Sequence, residues 1–185
     1  MSKGAARSEF EDALIAQLPG LRRYAAALCG SVAAGDDLVQ DCVERALKQS
    51  AQLREPAKIA RWLRTILHNL FMDEIRRRRS RGIEEDVSEL SDDLALSVPP
   101  ADRGEFREFA GAMGALSPEH RQILLLVGLE GLSYREIAEE LRIPIGTTMS
   151  RLARARERLR HAIETGGWRE PRAVTSIDAY RKANS

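Results

Sequence analysis

The segment Leu132–Leu159 constrains the fold most, because it joins a capped helix, a sharp corner and a second, arginine-rich helix. Ser133 is a favoured N-cap residue, and Glu136 three residues later completes the pattern of a capping box. Pro144 lacks an N–H and disfavours helix at the residue before it, so it predicts a break between the helices. This pattern is typical of a helix-turn-helix, which places its second helix in the major groove of DNA.

The second helix of this motif, beginning near Gly146, has two chemically different faces. At about 100° per residue, one face is apolar and is expected to pack inward: Ile145, Met149, Leu152, Leu159 and Ile163. The opposite face carries hydroxyls and guanidiniums that suit base edges and phosphates: Thr147, Ser150, Arg151, Arg154 and Arg158. The alternative is a surface helix with solvated arginines, but it would leave the capped helix and short turn unexplained.

Hydrophobic periodicity of the helical type runs through almost the whole chain, and no segment alternates as a strand does. Besides the helix-turn-helix, we expect helices over Ser8–Cys29, Asp36–Gln49, Pro56–Arg79, Glu105–Leu116 and Ser117–Leu129. Pro19 predicts a kink or break in the first of them, and Asp36 or Asp37 is the expected cap of the second. The second is expected to bury Leu47 among other apolar side chains.

Charge is distributed in blocks although the whole chain carries a net charge of only +1. Residues 54–82 have a net charge of +6, residues 83–108 of −7 and residues 142–160 of +5. The acidic block contains Pro99-Pro100 and a weak apolar pattern, as a flexible linker does. The sequence therefore predicts an all-α chain of two small helical domains, residues 8–82 and 104–165, joined by a flexible acidic linker at 83–103 and followed by a tail at 166–185.

The third predicted helix carries polar and aromatic side chains outside its apolar row, including Arg61, Trp62, Arg64 and Asn69. It ends in five arginines within residues 76–81, which repel one another and favour a polyanion. An aromatic ring beside an asparagine and arginines suits unstacked bases better than duplex edges. A buried tryptophan and a solvated, dipole-favoured arginine end are the alternative interpretation.

The chain shows no pattern of an enzyme, a cofactor site or a metal site. There is no Gly-rich phosphate loop, HExxH or GxSxG motif, and His68, His120 and His161 are scattered. Cys29 and Cys42 are wrongly spaced for a metal or redox motif, so we expect buried free thiols. Without an apolar run long enough for a bilayer or a signal peptide, the chain is expected to be cytoplasmic.

Three segments taken together resemble the bacterial extracytoplasmic-function sigma factors, near their alphaproteobacterial general-stress branch. The segments are DDLVQDCVERAL (Asp36–Leu47), RWLRTILHNLFMDEIRRRRSR (Arg61–Arg81) and LSPEHRQILLLVGLEGLSYREIAEELRIPIGTTMSRLARARERL (Leu116–Leu159). The resemblance implies two domains, regions two and four, that bind the clamp coiled coil and flap of core RNA polymerase and read promoter DNA. It also implies control by an anti-sigma factor, and a linker that replaces region three.

The resemblance assigns roles residue by residue. Asp37, Gln40 and Asp41 match the surface that docks on the polymerase clamp. Trp62 and Asn69 match residues that melt the minus-ten element and capture flipped-out bases, and Arg76, Arg77, Arg78 and Arg79 would hold the phosphate backbone. Thr147, Ser150, Arg151 and Arg154 match the helix that reads the minus-35 element, with Arg158 on the same face.

Two positions depart from the family pattern. Relatives often carry Val or Ile at Thr148, and Lys or Arg at Met149, which by angle lies near the packed side of its helix. Arg156 projects towards the apolar face and is expected to pair with an acid of the preceding helix or to snorkel. Two rival functions remain at this point: a stand-alone repressor or activator that uses only the helix-turn-helix, and a decoy that binds only an anti-sigma factor.

Overall fold

The computed structural model describes residues 3–53, 55–82 and 103–166, and every regular element in these ranges is helical. The N-terminal half contains α1 (Lys3–Cys29), α2 (Val32–Lys48) and α3 (Ile59–Ser80), with 3-10 turns at Ser50–Gln52 and Pro56–Lys58. The C-terminal half contains α4 (Arg103–Gly114), α5 (Pro118–Gly128), α6 (Tyr134–Leu141) and α7 (Ile145–Thr165). The all-α prediction is confirmed; the predicted linker, except residue 103, and the tail beyond residue 166 lie outside the described residues.

Helix α1 does not end at Pro19, where the sequence predicted a kink or a break. A proline inside a helix removes one main-chain hydrogen bond and costs about 3 kcal/mol. Leu14 and Leu21 lie on either side of Pro19 and are both buried against the core. Tertiary packing of the two parts of α1 therefore offsets the local preference of proline.

Helix α2 begins four residues earlier than Asp36, so the prediction that Asp36 or Asp37 caps it is wrong. Ser31 is the cap: its backbone is extended, and its hydroxyl accepts a hydrogen bond of 3.4 Å from the Ala34 N–H. Asp36 instead accepts a 2.9 Å hydrogen bond from Arg22 Nε of α1. The helix begins after Ser31 because the serine hydroxyl accepts a hydrogen bond from an N–H of the first turn that has no partner within the helix.

The core of the N-terminal half lies where α1, α2 and α3 meet, and Tyr24, Leu28, Leu63 and Leu67 are almost completely buried there. Cys42 is buried among them, its thiol donates to the Leu63 carbonyl, and burial raises its pKa to about 12. Two expectations are corrected. Cys29 is only partly buried, and Leu47 is 45% exposed because it lies at the solvent edge of α2.

The C-terminal half packs α5, α6 and α4 against α7, with Ile123, Leu126, Ile137 and Leu152 at the centre. The predicted capping box is present: Ser133 accepts from the Glu136 N–H, and Glu136 accepts from the Ser133 N–H at 2.8 Å. The corner after α6 is closed by Arg142, whose φ of 54° is left-handed. Ser117 caps α5 with Pro118 in its first turn, also as predicted.

Candidate functional surfaces

The exposed face of α2 carries the acidic and amide side chains predicted to dock on a partner. Asp37, Gln40 and Asp41 are all exposed, whereas Leu38 and Val39 beside them are buried. This division follows from helical spacing, since residues three and four apart lie on one side of a helix. The three polar side chains therefore form one accessible surface.

Helix α3 presents Asn69 to solvent, and the ring of Trp62 on the same helix is held by a contact with α1. The Trp62 ring is partly buried and meets the Phe10 ring of α1 edge-on, with centroids 6.2 Å apart and planes at 72°. Thr65, between Trp62 and Asn69 in sequence, donates its hydroxyl to the Arg61 carbonyl at 2.9 Å. An indole fixed by a neighbouring ring is ready to stack with little further loss of conformational entropy.

The arginines at the end of α3 are exposed, and acids of the same helix lie beside three of them. Arg76 pairs with Asp73, while Arg77 and Arg78 pair with the two oxygens of Glu74 at 3.1 and 2.9 Å. The hydrogen bond from Arg78 lowers the pKa of Glu74; burial opposes this shift, and the charge of Arg77 supports it. Exposed pairs of this kind contribute little energy, so a phosphate backbone can replace the carboxylates.

The apolar row predicted for α7 is partly wrong. Leu152 is buried and Leu159 partly buried, but Ile145, Met149 and Ile163 are 46%, 51% and 38% exposed. Their places in the core are taken by Thr148 and Ala155, both 0% exposed. Thr148 can be buried because its hydroxyl lies 3.4 Å from the Pro144 carbonyl, which accepts its hydrogen bond.

The face of α7 predicted to read DNA is accessible. Ser150, Arg154 and Arg158 are exposed, whereas Thr147 and Arg151 are partly buried. The Ser150 hydroxyl donates to the Thr147 carbonyl at 3.1 Å and keeps its lone pairs free to accept. Partial burial, aided by the charges of Arg158, Arg151 and Arg154 on α7 and opposed by Glu119, lowers the pKa of His120 on α5.

Arg156 of α7 was expected to pair with an acid of the preceding helix or to snorkel; it is exposed, and its hydrogen-bond partner is not an acid. Its Nη1 lies 3.4 Å from the hydroxyl of Tyr134, at the start of α6, to which it donates a long hydrogen bond. A phenol accepts a hydrogen bond without adding charge, so the helix-turn-helix is braced by a neutral partner.

The largest feature missed by sequence reasoning is an ionic cluster between the two halves. Arg64 of α3 donates from Nε and Nη2 to both oxygens of Glu140 on α6, and from Nη1 to Glu130 after α5, each at 3.0 Å. Arg61 donates to Glu139 at 3.0 Å. The sequence had indicated these arginines as polar positions of α3, but no spacing rule connects residues 76 positions apart.

The described ranges contain neither a candidate metal site nor a membrane-spanning helix. No group of three or more His, Cys, Asp or Glu side chains within residues 3–53, 55–82 and 103–166 is arranged to hold a metal ion. Of the helices in those ranges, none has the length and apolar character needed to cross a bilayer.

Both halves match known protein families. Residues 14–68 match the Sigma2 domain of PhyR, and residues 106–159 match Sigma-70, region 4. These matches lie in the two halves in the order that the sequence predicted, with α2 and the N-terminal part of α3 in the first and the helix-turn-helix in the second.

Relatives match over most of the chain. It is 36% identical over 148 residues to the ECF RNA polymerase sigma factor EcfG of Rhodopseudomonas palustris, covering 80% of this chain and 81% of that one. It is 33% identical to the ECF sigma factor SigL of Mycobacterium tuberculosis, covering 80% and 84%.

A solved structure matches both halves together. The sigma factor RpoE of Bartonella quintana, in a co-crystal with the anti-sigma factor NepR, gives a TM-score of 0.68 at 30% identity, covering 84% of this chain and 96% of that one. The predicted relation to the alphaproteobacterial general-stress branch is thereby confirmed. The chain belongs to the extracytoplasmic-function sigma factors, the subunits that bind core RNA polymerase and direct it to promoter DNA.

Proposed function

We propose that this sigma factor divides promoter recognition between α3 and α7. The observation that carries the proposal is that each half exposes one cationic helical surface outside its core. These surfaces are the arginines 76–79 at the end of α3 and the Arg151, Arg154 and Arg158 side of α7. Phosphate contacts from such surfaces supply affinity and position, while neighbouring polar side chains read bases.

Region two, in α3, would open the minus-ten element. Trp62, held by Phe10, offers a stacking surface, and exposed Asn69 offers hydrogen-bond donors and an acceptor to an extruded base. Stacking contributes about 1–3 kcal/mol per base, which offsets the few kcal/mol needed to unstack it. Arg76–Arg79 would hold the adjoining phosphates.

Region four, in α7, would read the minus-35 element. Residues near the N-terminus of a recognition helix meet base edges, which suits Thr147, Ser150 and Arg151. Arg154 lies one turn further along the helix, within reach of a guanine or a phosphate. Arg158, a further turn along α7, would contact the phosphate backbone.

The Asp37, Gln40 and Asp41 surface would dock on the polymerase clamp, and region four would contact the flap. Because the Bartonella quintana relative was solved with NepR, we also propose that an anti-sigma factor controls this chain. As a factor that acts on polymerase and chromosomal DNA, it would work in the cytoplasm without a cofactor.

Run-off transcription with purified bacterial core polymerase and a library of promoter fragments tests this function. Selective transcripts that require the protein are expected, and their start sites give the promoter. Asp41→Arg should abolish most of this activity because it reverses an exposed charge at the docking surface. Glu9→Arg, at an exposed position of α1, should not. Duplex binding without any core-dependent transcript would instead favour a stand-alone DNA-binding regulator.

A further inference from the structure

The contact between regions two and four brings opposite charges together in a partly enclosed place. The side chain of Arg64 is 12% exposed, that of Glu140 4% and that of Glu130 16%. Burial by itself lowers the pKa of Arg64, but hydrogen bonding and the charges of Glu140 and Glu130 outweigh it and raise that pKa. The guanidinium therefore remains charged and has both carboxylates as its partners.

Region four also covers part of a groove on region two. On the region-two side the groove lining includes Glu55, Lys58, Arg61, Trp62 and Thr65, and on the region-four side Glu139, Glu140 and Arg142. The two carboxylates of α6 therefore face a surface that carries Arg61, the Trp62 ring and Lys58, which is itself paired with Glu55 at 2.8 Å. That surface adjoins the exposed Asn69, which belongs to the proposed minus-ten site. Carboxylates in this position occupy the place where phosphates of a bound strand would balance the same cations.

In the closed arrangement, the two DNA-facing surfaces lie too close together to reach both promoter elements at once. The elements lie about 25 base pairs apart, which is about 85 Å at 3.4 Å per base pair. Helix α6 touches α3 through Arg64 and packs on α7, and packed helices lie about 8–10 Å apart. Asn69 and Ser150 are therefore within roughly 40 Å of each other, given a rise of 1.5 Å per residue. Region four must leave α3 before both elements can bind.

The ion pairs of this contact can open at little cost, although the buried 2.8 Å hydrogen bond from Arg121 of α5 to the Leu28 carbonyl must break as well. A buried ion pair gains Coulomb energy but loses hydration of both ions, so its net contribution is small. When the halves separate, water solvates Arg64 and both glutamates again.

We propose that Glu130, Glu139 and Glu140 of region four act as an intramolecular mimic of nucleic-acid phosphates. They bind Arg61 and Arg64 of α3 and keep the free sigma factor closed and weak in binding the minus-ten strand. Core polymerase and promoter DNA compete with this acidic surface. The inference rests on the proposed role of α3, and its test separates the two.

The test uses the full chain and compares two charge-matched pairs of variants. Glu130→Gln/Glu140→Gln removes two interface charges with little change in volume, and Glu9→Gln/Glu164→Gln removes two charges from exposed positions outside the interface. Glu139→Lys, at a side chain that is 54% exposed, repels Arg61 without disturbing a core, and Glu9→Lys is its control. X-ray scattering measures the radius of gyration. Fluorescence anisotropy measures the affinity for single-stranded DNA of the non-template minus-ten sequence found by run-off transcription.

The interface variants are expected to have a larger radius of gyration and to bind the strand about tenfold more tightly than their charge-matched controls. Equal radii and affinities in interface and control variants would overturn the proposal, and if the double variant does not fold, Glu139→Lys decides alone. A larger radius without tighter binding would show that closure leaves the strand site open, which also overturns it. If wild-type protein instead fails in run-off transcription, the proposed function fails, whatever the variants do.

Discussion

The guanidinium of Arg121 on α5 donates a 2.8 Å hydrogen bond to the main-chain carbonyl of Leu28, which lies 93 residues earlier at the end of α1. The same guanidinium donates to the carbonyls of Met113, Gly114 and Leu116, at distances of 3.1, 2.9 and 3.4 Å. Arg121 is only 2% exposed. One side chain thus closes the C-terminal end of α4 and joins region four to region two.

Replacing Arg121 by Met keeps the aliphatic part of the side chain but leaves several buried carbonyls without their donor. Each lost hydrogen bond to a charged group costs about 1.5–3 kcal/mol, although the losses do not add fully. We expect the free energy of unfolding in urea to fall by about 3 kcal/mol. Arg135→Met, at an exposed position of α6, should change it by less than about 0.5 kcal/mol. Equal effects of the two changes would contradict this role of Arg121.

Gly35→Ala should destabilise region two although alanine is the better helix former. A Cβ at Gly35 would lie 2.6 Å from the Ala26 nitrogen and 2.7 Å from its Cα, which are backbone atoms that cannot move aside. Overpacking of this kind costs about 1–3 kcal/mol, more than the helix propensity gained. Gly20→Ala in α1 is the matched control, because its Cβ would meet nothing within 4 Å. In thermal unfolding, Gly35→Ala should lower the Tm and Gly20→Ala should raise it.

Local chemistry made much of the helix-turn-helix predictable. The capping box at Ser133 and the N-cap at Ser117 follow from side chains that satisfy nearby N–H groups, and both are present. The face of α7 was less predictable. A period of 100° per residue could not tell that Thr148 satisfies its own hydroxyl and enters the core, displacing Met149 to solvent.

The contact between the halves could not be predicted from the sequence. Arg64 and Glu140 belong to different helices of different domains, and each also fits a solvated helical surface. Their pairing depends on how region four docks, which is fixed by shape and by the hydrogen bond from Arg121 to Leu28. A pattern within one helix contains no information about such a partner.

His68 should make the protein less stable as the pH falls below about 6.5. Burial, with a smaller contribution from Arg76, lowers its pKa to about 4, while Glu119 of α5 acts in the opposite direction. Its ring also contacts the Gln122 amide across the interface. Between pH 6.5 and 4 the unfolded state binds the proton and the folded state does not, so stability rises with pH in this window.

At pH 5 the lower pKa of His68 in the folded state reduces the free energy of unfolding by about 2 kcal/mol. His68→Gln should lose less stability than wild type between pH 7.5 and pH 5, as measured by urea unfolding. His161→Gln, at an exposed position of α7, should retain the wild-type dependence. An identical pH dependence in all three proteins would show that His68 does not titrate in this window.

Arg154→Ala should weaken binding to the minus-35 element by about 1–3 kcal/mol if its guanidinium contacts a base. The residue is exposed on the same side of α7 as Ser150. Gel-shift titrations should therefore show the loss on the preferred duplex and little loss on a duplex with that base pair changed. A uniform loss on every sequence would instead identify a phosphate contact.

Met149→Arg should strengthen binding to duplex DNA without sharpening its selectivity. Met149 is 51% exposed beside Ser150, so an arginine there adds a cation next to the proposed DNA-facing surface without vacating a core position. One further phosphate contact makes the slope of log affinity against log salt steeper by about 0.9. Titrations at several salt concentrations, on preferred and scrambled duplexes, should show this steeper slope on both. An unchanged slope with lower stability would mean that Met149 packs against region four in solution.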